Sequence, residues 1–319
     1  MRLTIGLLTF NCVDLLANQV DSLKAGLDGV DDWHVVVADG GSTDGTIEAA
    51  RRLLPDATIV ELGTNPGFAA QANAVAHGDP GSDVILIMSR TSLLHDGCAA
   101  KLLSTFSDPG VGVAVPRLFT STGDYEPSLR RRPTLARVWG ETLLGGRLTR
   151  RLPHLTEIVP NPDAYDERTP FEWATGGTTM FSRTCLEAVG GWDETMFTYS
   201  EETDFELRAA DHGFRVVFVP DAHASHLGGR ALARPELWSH LCANRVRLYG
   251  KRHRRPAGDA FWAAVVVGEL LRLPSRPKTR LTAVRKLVRE RRYLIAGEPA
   301  SHPFTGVRPT VTQKGHHGG

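Results

Sequence analysis

Short apolar runs alternate with helix-length amphipathic segments through the first third of the chain. The runs at residues 3–9, 34–38, 57–61 and 83–88 predict buried strands, because each has strand length and polar or turn-forming neighbours. The segments between them have the length and spacing of helices. This alternation is typical of an α/β fold with a mostly parallel central sheet.

Polar residues follow these predicted strands at the points where the strands end. Asn11 comes shortly after the first strand, Asp39 directly after the second, and Ser89 directly after the fourth. Ligands of such sheets bind beyond the carboxyl ends of the strands, so we expect a binding site at this edge. The dinucleotide fingerprint GxGxxG and the Walker lysine motif are both missing, which argues against a nicotinamide-type Rossmann enzyme and a P-loop protein.

The stretch Gly190–Arg208 is the strongest local candidate for catalysis. A Gly-Gly turn and an aromatic run lead to Glu201 and Glu202, and Asp204 and Arg208 follow at helical spacing. The amide groups of a helix N-terminus stabilise carboxylates placed there, which is also a good position for a general base. Acidic residues in a first helical turn are also common capping residues, and the local sequence taken alone favours that role.

Composition excludes several classes of protein. The chain has 319 residues and a net charge of +1, which argues against a dedicated nucleic-acid binder. Its four cysteines lie far apart without a CxxC pair, which predicts reduced thiols in a cytoplasmic protein and no zinc site. The apolar N-terminus is interrupted by Asn11 and Asp14, which favours a buried strand over a signal peptide. No apolar run reaches the roughly 18 residues of a membrane span.

The C-terminal part is predicted to be helical and is strongly basic. Between Lys251 and Tyr293, thirteen Lys and Arg residues are opposed by three acidic ones, and an apolar helix is predicted over 261–273. The segment 251–293 is therefore either attached to an anionic membrane surface or a docking region with a solvated basic face, and the pattern favours neither. Residues 298–319 have no apolar period, which predicts a disordered tail.

Eight motifs resemble those of a family 2 glycosyltransferase, most closely the bacterial rhamnosyltransferase-like group. In chain order they are TFN (9–11), ADGGSTDGT (38–46), NPGFAAQAN (65–73), GVAVPRLF (112–119), RRRPTLARVWGETL (130–143), TGGTTMFSR (175–183), GGWDETMFTYSEETDFELR (190–208) and VVFVPDAHASHLGG (216–229). Each motif alone is weak, but their order and spacing are specific, and together they cover about residues 3–250. The resemblance implies a GT-A type nucleotide-diphospho-sugar transferase fold and a sugar transfer that inverts the anomeric carbon.

The resemblance and the composition together predict the domain organisation. Residues 1–230 form the GT-A domain, with a donor-nucleotide half over 1–115 and an acceptor half over 116–230. Residues 231–297 form the basic helical segment. Within the acceptor half, residues 120–170 are rich in proline and in basic runs, which predicts an insertion or flexible lobe beside the core.

The resemblance implies a set of residues that contact the nucleotide-sugar donor. They are Thr9, Asn11, Asp39, Ser42, Asp44, Asn65, Gly67, Asn73, Ser89 and Arg90. Asp39 matches the family aspartate that binds the nucleoside base, although an Asp before two glycines also suits a simple turn. Gly67 would allow the backbone to approach the ligand.

A second set is implied to bind the acceptor and to catalyse transfer. Glu202 matches the family's general base, which takes the proton of an acceptor hydroxyl as that oxygen attacks the anomeric carbon. Glu201 and Asp204 would orient Glu202 or bind the acceptor. Gly176 and Gly177 match the turn that opens the acceptor pocket. Trp192 would stack on a sugar face, although a buried aromatic residue fits the pattern nearly as well.

One family element is broken in this chain. After the fourth strand the family has an aspartate that binds Mg²⁺ or Mn²⁺, which neutralises the leaving diphosphate. Here Ser89-Arg90-Thr91 stands in that place. His226 matches a family histidine near the diphosphate or metal, with His223 as its local competitor. Dependence on a divalent cation is therefore in question, and Arg90 is positioned to supply the positive charge instead.

Two functional hypotheses remain in view, with a scaffold protein as a third. The first is an inverting transferase that moves a sugar, rhamnose by resemblance, from a nucleotide-diphosphate sugar to a glycan or polyisoprenoid-linked acceptor, in the cytoplasm or at the inner face of the membrane. The second is a catalytically impaired GT-A-like protein that binds nucleotide sugars or glycans as a partner. A scaffold that binds only membrane or a partner predicts no stabilisation by nucleotides.

Overall fold

The computed structural model describes residues 1–149, 151–167, 170–228, 234–299 and 310–312. The strands are β1 Leu3–Thr9, β2 Trp33–Asp39, β3 Thr58–Glu61, β4 Val84–Ser89, β5 Ser92–Leu94, β6 Val111–Phe119, β7 Tyr125–Glu126, β8 Leu129–Arg130, β9 Pro170–Phe171, β10 Trp173–Ala174, β11 Thr178–Ser182, β12 Arg215–His226 and β13 Thr310–Thr312. The helices are α1 Val13–Gly26, α2 Thr46–Leu53, α3 Phe68–Gly78, α4 Cys98–Leu103, α5 Leu135–Thr149, α6 Arg183–Val189, α7 Glu201–Asp211, α8 Pro235–Arg252, α9 Arg255–Leu271 and α10 Pro277–Ala296.

The central sheet has the order β13-β3-β2-β1-β4-β11-β6-β12-β5. Strands β3, β2, β1 and β4 are parallel, as their crossover helices require. Strand β11 lies antiparallel between β4 and β6, so the sheet as a whole is mixed. The predicted α/β fold is confirmed. In the register of the parallel strands Thr9 is opposite Asp39 and Leu8 is opposite Ser89, which places the predicted ligand edge at one end of the sheet.

Each face of the sheet is covered by its own apolar core. In β1, Leu3, Ile5 and Leu7 belong to one core and Leu8 to the other, because successive strand residues point to opposite faces. Gly6 lies against α3, where a Cβ atom would come within 2.5 Å of the Val75 side chain. The glycine therefore sets how closely this helix packs.

A third core joins α5 to the C-terminal helices α8, α9 and α10. The apolar helix that was predicted over 261–273 is α9, which buries Phe261, Ala264 and Val265 in this core. Several of the basic residues of the segment form ion pairs within the protein, such as Arg280 with Glu269. No helix in the described part of the chain combines the length and the apolar character that a membrane span needs.

Two sequence expectations change in the structure. The prediction of a disordered tail over 298–319 is wrong for Thr310–Thr312, which pairs antiparallel with β3, because that edge strand offers free backbone groups to a β-branched segment. Residues 300–309 and 313–319 lie outside the described residues. Part of the segment 120–170 is tied to the core, since β7 pairs with β6 of the central sheet and Leu129 and Tyr165 belong to one of the apolar cores. All four cysteines, each in a described stretch, are buried and free.

Candidate active site

Asp39 organises the loop at the end of β2. Its carboxylate is fully buried and accepts hydrogen bonds from Thr9 Oγ1 (2.7 Å), the backbone amides of Gly41 and Ser42 (2.9 and 2.7 Å), and Ser42 Oγ (2.6 Å). Four donors are enough to satisfy both oxygen atoms of a carboxylate. Asp39 and Ser42 therefore hold the glycine loop in shape, and a contact with a ligand would have to displace one of these bonds.

Asn11 and Asp44 join the loops that follow β1 and β2. Asn11 has a left-handed φ of 45°, accepts from the amide of Thr43 at 2.9 Å and donates its own amide to Ser42 Oγ at 2.9 Å. Asp44 accepts from the amide of Val13 at 3.1 Å and caps α2 through Thr46. These hydrogen bonds lower the pKa of the Asp44 carboxyl although burial opposes them. The two loops form one rigid polar rim.

The residues of the NPGFAAQAN motif have structural partners. Asn65 accepts from the amide of Gly67. A Cβ atom on Gly67 (φ +95°) would lie 1.9 Å from the carbonyl oxygen of Phe197, so this glycine is required by the loop before α7 and not by approach to a ligand. Asn73 bonds to both the amide and the carbonyl of Trp192, at 2.9 and 3.0 Å. The geometry therefore gives Gly67 a packing role, while its approach to a ligand stays a prediction, and Asn73 holds the turn before α7.

The segment after β4 lies at the same edge of the sheet. Ser89 donates its amide to the carbonyl of Gly177 at 2.7 Å, and Ser92 Oγ donates to the same oxygen at 2.5 Å. A Cβ atom on Gly177 would be 3.1 Å from the His226 ring, and one on Gly176 would be 3.7 Å from Glu202. The glycine turn predicted to open the acceptor pocket thus joins β4, β12 and α7.

Arg90 faces the end of β1. Its Nη1 donates to the carbonyl of Phe10 at 2.6 Å, and its charge lowers the pKa of both Cys12 and Tyr199, although burial raises both overall. The guanidinium is therefore electrostatically coupled both to the donor rim and to the tyrosine just before α7.

The donor set at this edge does not suit Mg²⁺ or Mn²⁺. Around Ser89 it consists of the hydroxyls of Ser89, Thr91 and Ser92, which bond to one another at 2.9 and 3.2 Å, beside the Arg90 cation. His226 Nδ1 lies 3.7 Å from Glu126 Oε2. Hard divalent cations prefer carboxylate oxygens, and among the described residues no three His, Cys, Asp or Glu side chains come together as a metal site.

A strained turn places the carboxylates of α7. Tyr199 and Ser200 both have positive φ, 67° and 71°, which is uncommon for residues with a side chain. Asn244 of α8 supports this turn by donating to the carbonyls of Thr198 and Tyr199 at 2.9 and 3.0 Å. The C-terminal helices therefore help to hold the start of α7 in place.

Three glutamates follow this turn, two of them buried and Glu202 half-buried, and each has one buried oxygen atom without a hydrogen-bond partner. They are Glu201, Glu202 and Glu206. Burial raises the pKa of all three carboxyls, and the charge of Glu202 adds to the rise at Glu201 and Glu206. At Glu202, backbone amides at the start of α7 and the charge of Arg130 oppose the rise. A carboxyl group with a raised pKa and an unpaired oxygen is suited to proton transfer.

Asp204 is occupied by ion pairs within the protein, and Trp192 is the buried aromatic residue that was the alternative to sugar stacking. Asp204 is buried and binds Arg208 Nε at 2.7 Å and Lys251 Nζ at 2.6 Å, so it ties α7 to α8 and both its oxygens are occupied. Trp192 is 3% exposed, stacks on Phe205 and lies edge-on to Phe181. Its face is covered by protein, which leaves no room for a sugar to stack there.

Sequence reasoning gave no role to Arg130, Tyr199 or Glu206. Arg130 is one of three consecutive arginines, so the sequence does not distinguish it from its neighbours. Burial lowers the pKa of its guanidinium, and its Nη1 donates to the carbonyls of Pro127 and Leu129. Glu206 lies one helical turn after Glu202 and accepts from the amide of Ala174 at 2.7 Å. The i, i+4 spacing of the two glutamates was the one signal available.

Two family models match successive parts of the chain. The family model Glycosyl transferase family 2 matches residues 4–162, and the model Glycosyl transferase family group 2 matches residues 156–266. The N-acetylglucosaminyl-diphospho-decaprenol L-rhamnosyltransferase of Mycobacterium tuberculosis is 30% identical over 226 residues, which are 67% of this chain and 73% of that protein. The chain belongs to glycosyltransferase family 2. It is therefore a sugar-transferring enzyme.

Another relative and two solved structures are also similar to this chain. The succinoglycan biosynthesis protein ExoA of Rhizobium meliloti is 29% identical over 67% of this chain and 59% of that protein. A mannosyltransferase of Pyrobaculum calidifontis in complex with GDP-Man and Mn²⁺ has a TM-score of 0.56 at 19% identity, covering 93% of this chain and 85% of that one. GalNAc-T7 with UDP, GalNAc and Mn²⁺ has a TM-score of 0.58 at 14% identity, covering 89% and 54%. These structures share the GT-A fold.

Proposed function

We propose that this family 2 enzyme is an inverting glycosyltransferase with Glu202 as its general base. The observation that carries the proposal is the Glu202 carboxyl, which has an unpaired oxygen, a raised pKa and a position beside the glycine turn at Gly176. Asp39, Ser42, Asn11 and the other residues of the donor rim would hold the nucleotide across the ends of β1 and β2.

The reaction is a single displacement. The Glu202 carboxylate takes the proton of an acceptor hydroxyl, and that oxygen forms a bond to the anomeric carbon. The bond from that carbon to the diphosphate breaks, and the electron pair leaves with the nucleoside diphosphate from the opposite face. Because the raised pKa makes the carboxylate a stronger base than an exposed glutamate, proton removal at neutral pH is favoured.

Arg90 is proposed to stabilise the charge that develops on the leaving diphosphate. The relevant observations are its place after β4 and its bond to the carbonyl of Phe10, which aims the guanidinium at the donor rim. A guanidinium can bind phosphate oxygens with two parallel hydrogen bonds. The structural neighbours named above contain Mn²⁺, whereas this chain has a hydroxyl and guanidinium set in the corresponding segment.

The substrates are proposed from the relatives. The Mycobacterium tuberculosis relative is named for L-rhamnose transfer to a decaprenol-linked acceptor. We therefore propose a nucleotide-diphosphate sugar, with rhamnose as the first sugar to test, and a polyisoprenoid-linked or glycan acceptor. Such a reaction would take place at the cytoplasmic face of a membrane.

A donor panel tests the proposal most directly. Hydrolysis or transfer from nucleotide-diphosphate sugars is measured for the wild type and for Glu202→Gln, with Glu187→Gln on the exposed surface of α6 as the matched control. We expect turnover with at least one donor, loss of that turnover in Glu202→Gln, and no change in the control. Equal turnover in Glu202→Gln and wild type would remove Glu202 as the base, and no turnover with any donor would favour the binding-protein alternative.

The role of Arg90 is tested separately. Arg90→Ala should lose activity strongly, Arg90→Lys should regain part of it, and the exposed Arg52→Ala should be unaffected. Turnover by the wild type is also measured in excess chelator and with added Mn²⁺. Activity that vanishes in chelator and returns with Mn²⁺, together with an active Arg90→Ala enzyme, would contradict the proposed role.

A further inference from the structure

An apolar protrusion stands next to the C-terminal helices. A Cβ atom on Gly140 would lie 2.7 Å from the Leu155 side chain, so the two ends of the segment between these residues lie close together. Helix α5 breaks inside this stretch, at Gly145, which has non-helical backbone angles. The protrusion carries four leucines that are between 41% and 64% exposed, namely Leu143, Leu144, Leu148 and Leu152.

The end of α9 lies against the base of the protrusion. Thr142 Oγ1 donates to the carbonyl of Ala264 at 3.0 Å, and Arg272 Nη2 donates to the carbonyl of Glu141 at 2.5 Å. Two more leucines, Leu270 and Leu271, are exposed there by 47% and 59%. Six of the ten large apolar side chains that are exposed in the described residues therefore belong to one pair of adjoining segments. Monomeric soluble proteins rarely expose so many together.

The exposed charged side chains beside these leucines are positive, since the neighbouring Glu141 and Glu269 are not exposed and pair with Arg245 and Arg280. No Asp or Glu occurs from Thr142 to Thr156 or from Leu270 to Arg289. Arg151, Arg276, Lys278 and Arg285 are exposed. None of these four has an ion-pair partner within the described chain. The leucines are thus bordered by cations that are free to interact with an external anionic partner.

We propose that this leucine–arginine face, defined by the six leucines together with Arg151, Arg276 and Lys278, docks the enzyme on an anionic lipid bilayer. Leucine side chains would enter the boundary between head groups and acyl chains, while the cations would bind lipid phosphates. A second copy of the chain fits this face poorly, because a two-fold symmetric contact would bring the unpaired cations of one copy close to the same cations of the other, where they would repel. The proposal deepens the proposed function by placing the enzyme beside a lipid-linked acceptor.

The face differs from the one expected for the segment 251–293. Arg252 pairs with Asp211, Arg291 with Asp259, and Lys286 with Glu290, so much of that segment's charge is compensated within the protein. Four of the six exposed leucines come from residues 143–152, which the basic pattern of the C-terminal helices does not include, and only Leu270 and Leu271 belong to that segment.

Vesicle flotation with the full chain tests the proposal without any transfer assay. Vesicles of phosphatidylcholine with about a third phosphatidylglycerol are compared with pure phosphatidylcholine at low and high salt. The wild type should bind the anionic vesicles and be released by salt. The double variant Leu143→Glu, Leu271→Glu and the double variant Arg276→Glu, Lys278→Glu should each bind at least tenfold more weakly. Trp33→Glu and Arg52→Glu, exposed on other parts of the surface, should bind like the wild type.

Three results would overturn the proposal. One is wild-type binding by the leucine double variant. Another is equal binding to neutral and anionic vesicles in the wild type. The third is a wild type that binds no vesicles but forms a concentration-dependent dimer in solution, while the leucine double variant stays monomeric. Donor turnover in solution separates this proposal from the proposed function, since the double variants should keep it and Glu202→Gln should lose it while still binding vesicles.

Discussion

The aspartates of the donor rim and the three glutamates of helix α7 lie at the same end of the sheet but have opposite hydrogen-bond states. Asp39 accepts from four donors, and Asp44 from three. Glu201, Glu202 and Glu206 each keep a buried oxygen without a partner. Saturated carboxylates shape a loop, whereas an unsaturated buried carboxylate costs stability and is retained where it has a function.

The pKa shifts follow the same division. Hydrogen bonds lower the pKa of Asp44 although burial opposes them, and burial raises the pKa values of the three glutamates. A binding rim benefits from fixed geometry, and a base benefits from a pKa nearer to neutral pH. The donor rim is therefore suited to hold a ligand in a fixed geometry, and the three glutamates are suited to proton transfer.

The largest expected effect belongs to Glu202→Gln. We expect turnover to fall about 10²–10⁴-fold, the usual contribution of a general base. The thermal midpoint should not fall, because the change removes a half-buried carboxylate whose Oε2 atom is buried without a hydrogen-bond partner. Steady-state kinetics and thermal unfolding of the same preparation measure the two quantities. A variant that loses both together would show that Glu202 supports the fold and would break the comparison.

Asp204→Asn should affect stability more than any other change in α7. Its carboxylate binds Arg208 and Lys251 in a buried site. We expect a loss of about 3 kcal/mol, the lower end for a broken buried ion pair, since Lys251 also pairs with Asp193. Denaturant unfolding measures it. Asp21→Asn, which breaks the exposed pair with Lys24, should cost less than about 1 kcal/mol.

Asp39→Asn sharpens the role of the donor rim. The asparagine side chain has one oxygen atom in place of the two that accept hydrogen bonds in Asp39. At least one of the donors from Thr9, Gly41 and Ser42 therefore loses its partner. We expect a loss of about 1–3 kcal/mol of unfolding free energy. Thermal shift with nucleoside diphosphates measures ligand binding in parallel. Full stability combined with lost nucleotide binding would mean that Asp39 contacts the base rather than building the loop.

The smallest effect is a change in pH dependence on replacing Glu206. Its folded pKa lies well above the ordinary 4.5, so its contribution to stability is greatest below 4.5 and is lost as pH rises through the folded pKa. Glu206→Gln should therefore become more stable relative to the wild type between pH 5 and pH 8. The pH dependence of Asp193 has the opposite sign, because its pKa is lowered from 3.8 to about 2. Its contribution to stability is lost as the pH falls from 3.8 to about 2. Unfolding measured across pH, with Asp193→Asn alongside, checks both signs.

Much of the fold was predictable because apolar periodicity reports burial directly. The strands at residues 3–9, 34–38 and 83–88, and the ligand edge at their ends, follow from pattern alone. The antiparallel position of β11 was not predictable, since its pairing with β4 and β6 joins residues distant in sequence. For the same reason the apolar surface that the leucines of residues 143–152 form beside α9 was not predictable, since it too joins residues distant in sequence.

The sequence by itself determined which chemical groups stand at the strand ends and at the start of α7, because residue type and local spacing decide those. Only the tertiary structure decided what each group is free to do. Asp204 and Trp192 are occupied by partners from elsewhere in the chain, and Glu202 is not. Hydrogen-bond saturation and burial depend on neighbours that are remote in sequence, so no local pattern could distinguish a carboxylate that builds the site from one that is free to act in it.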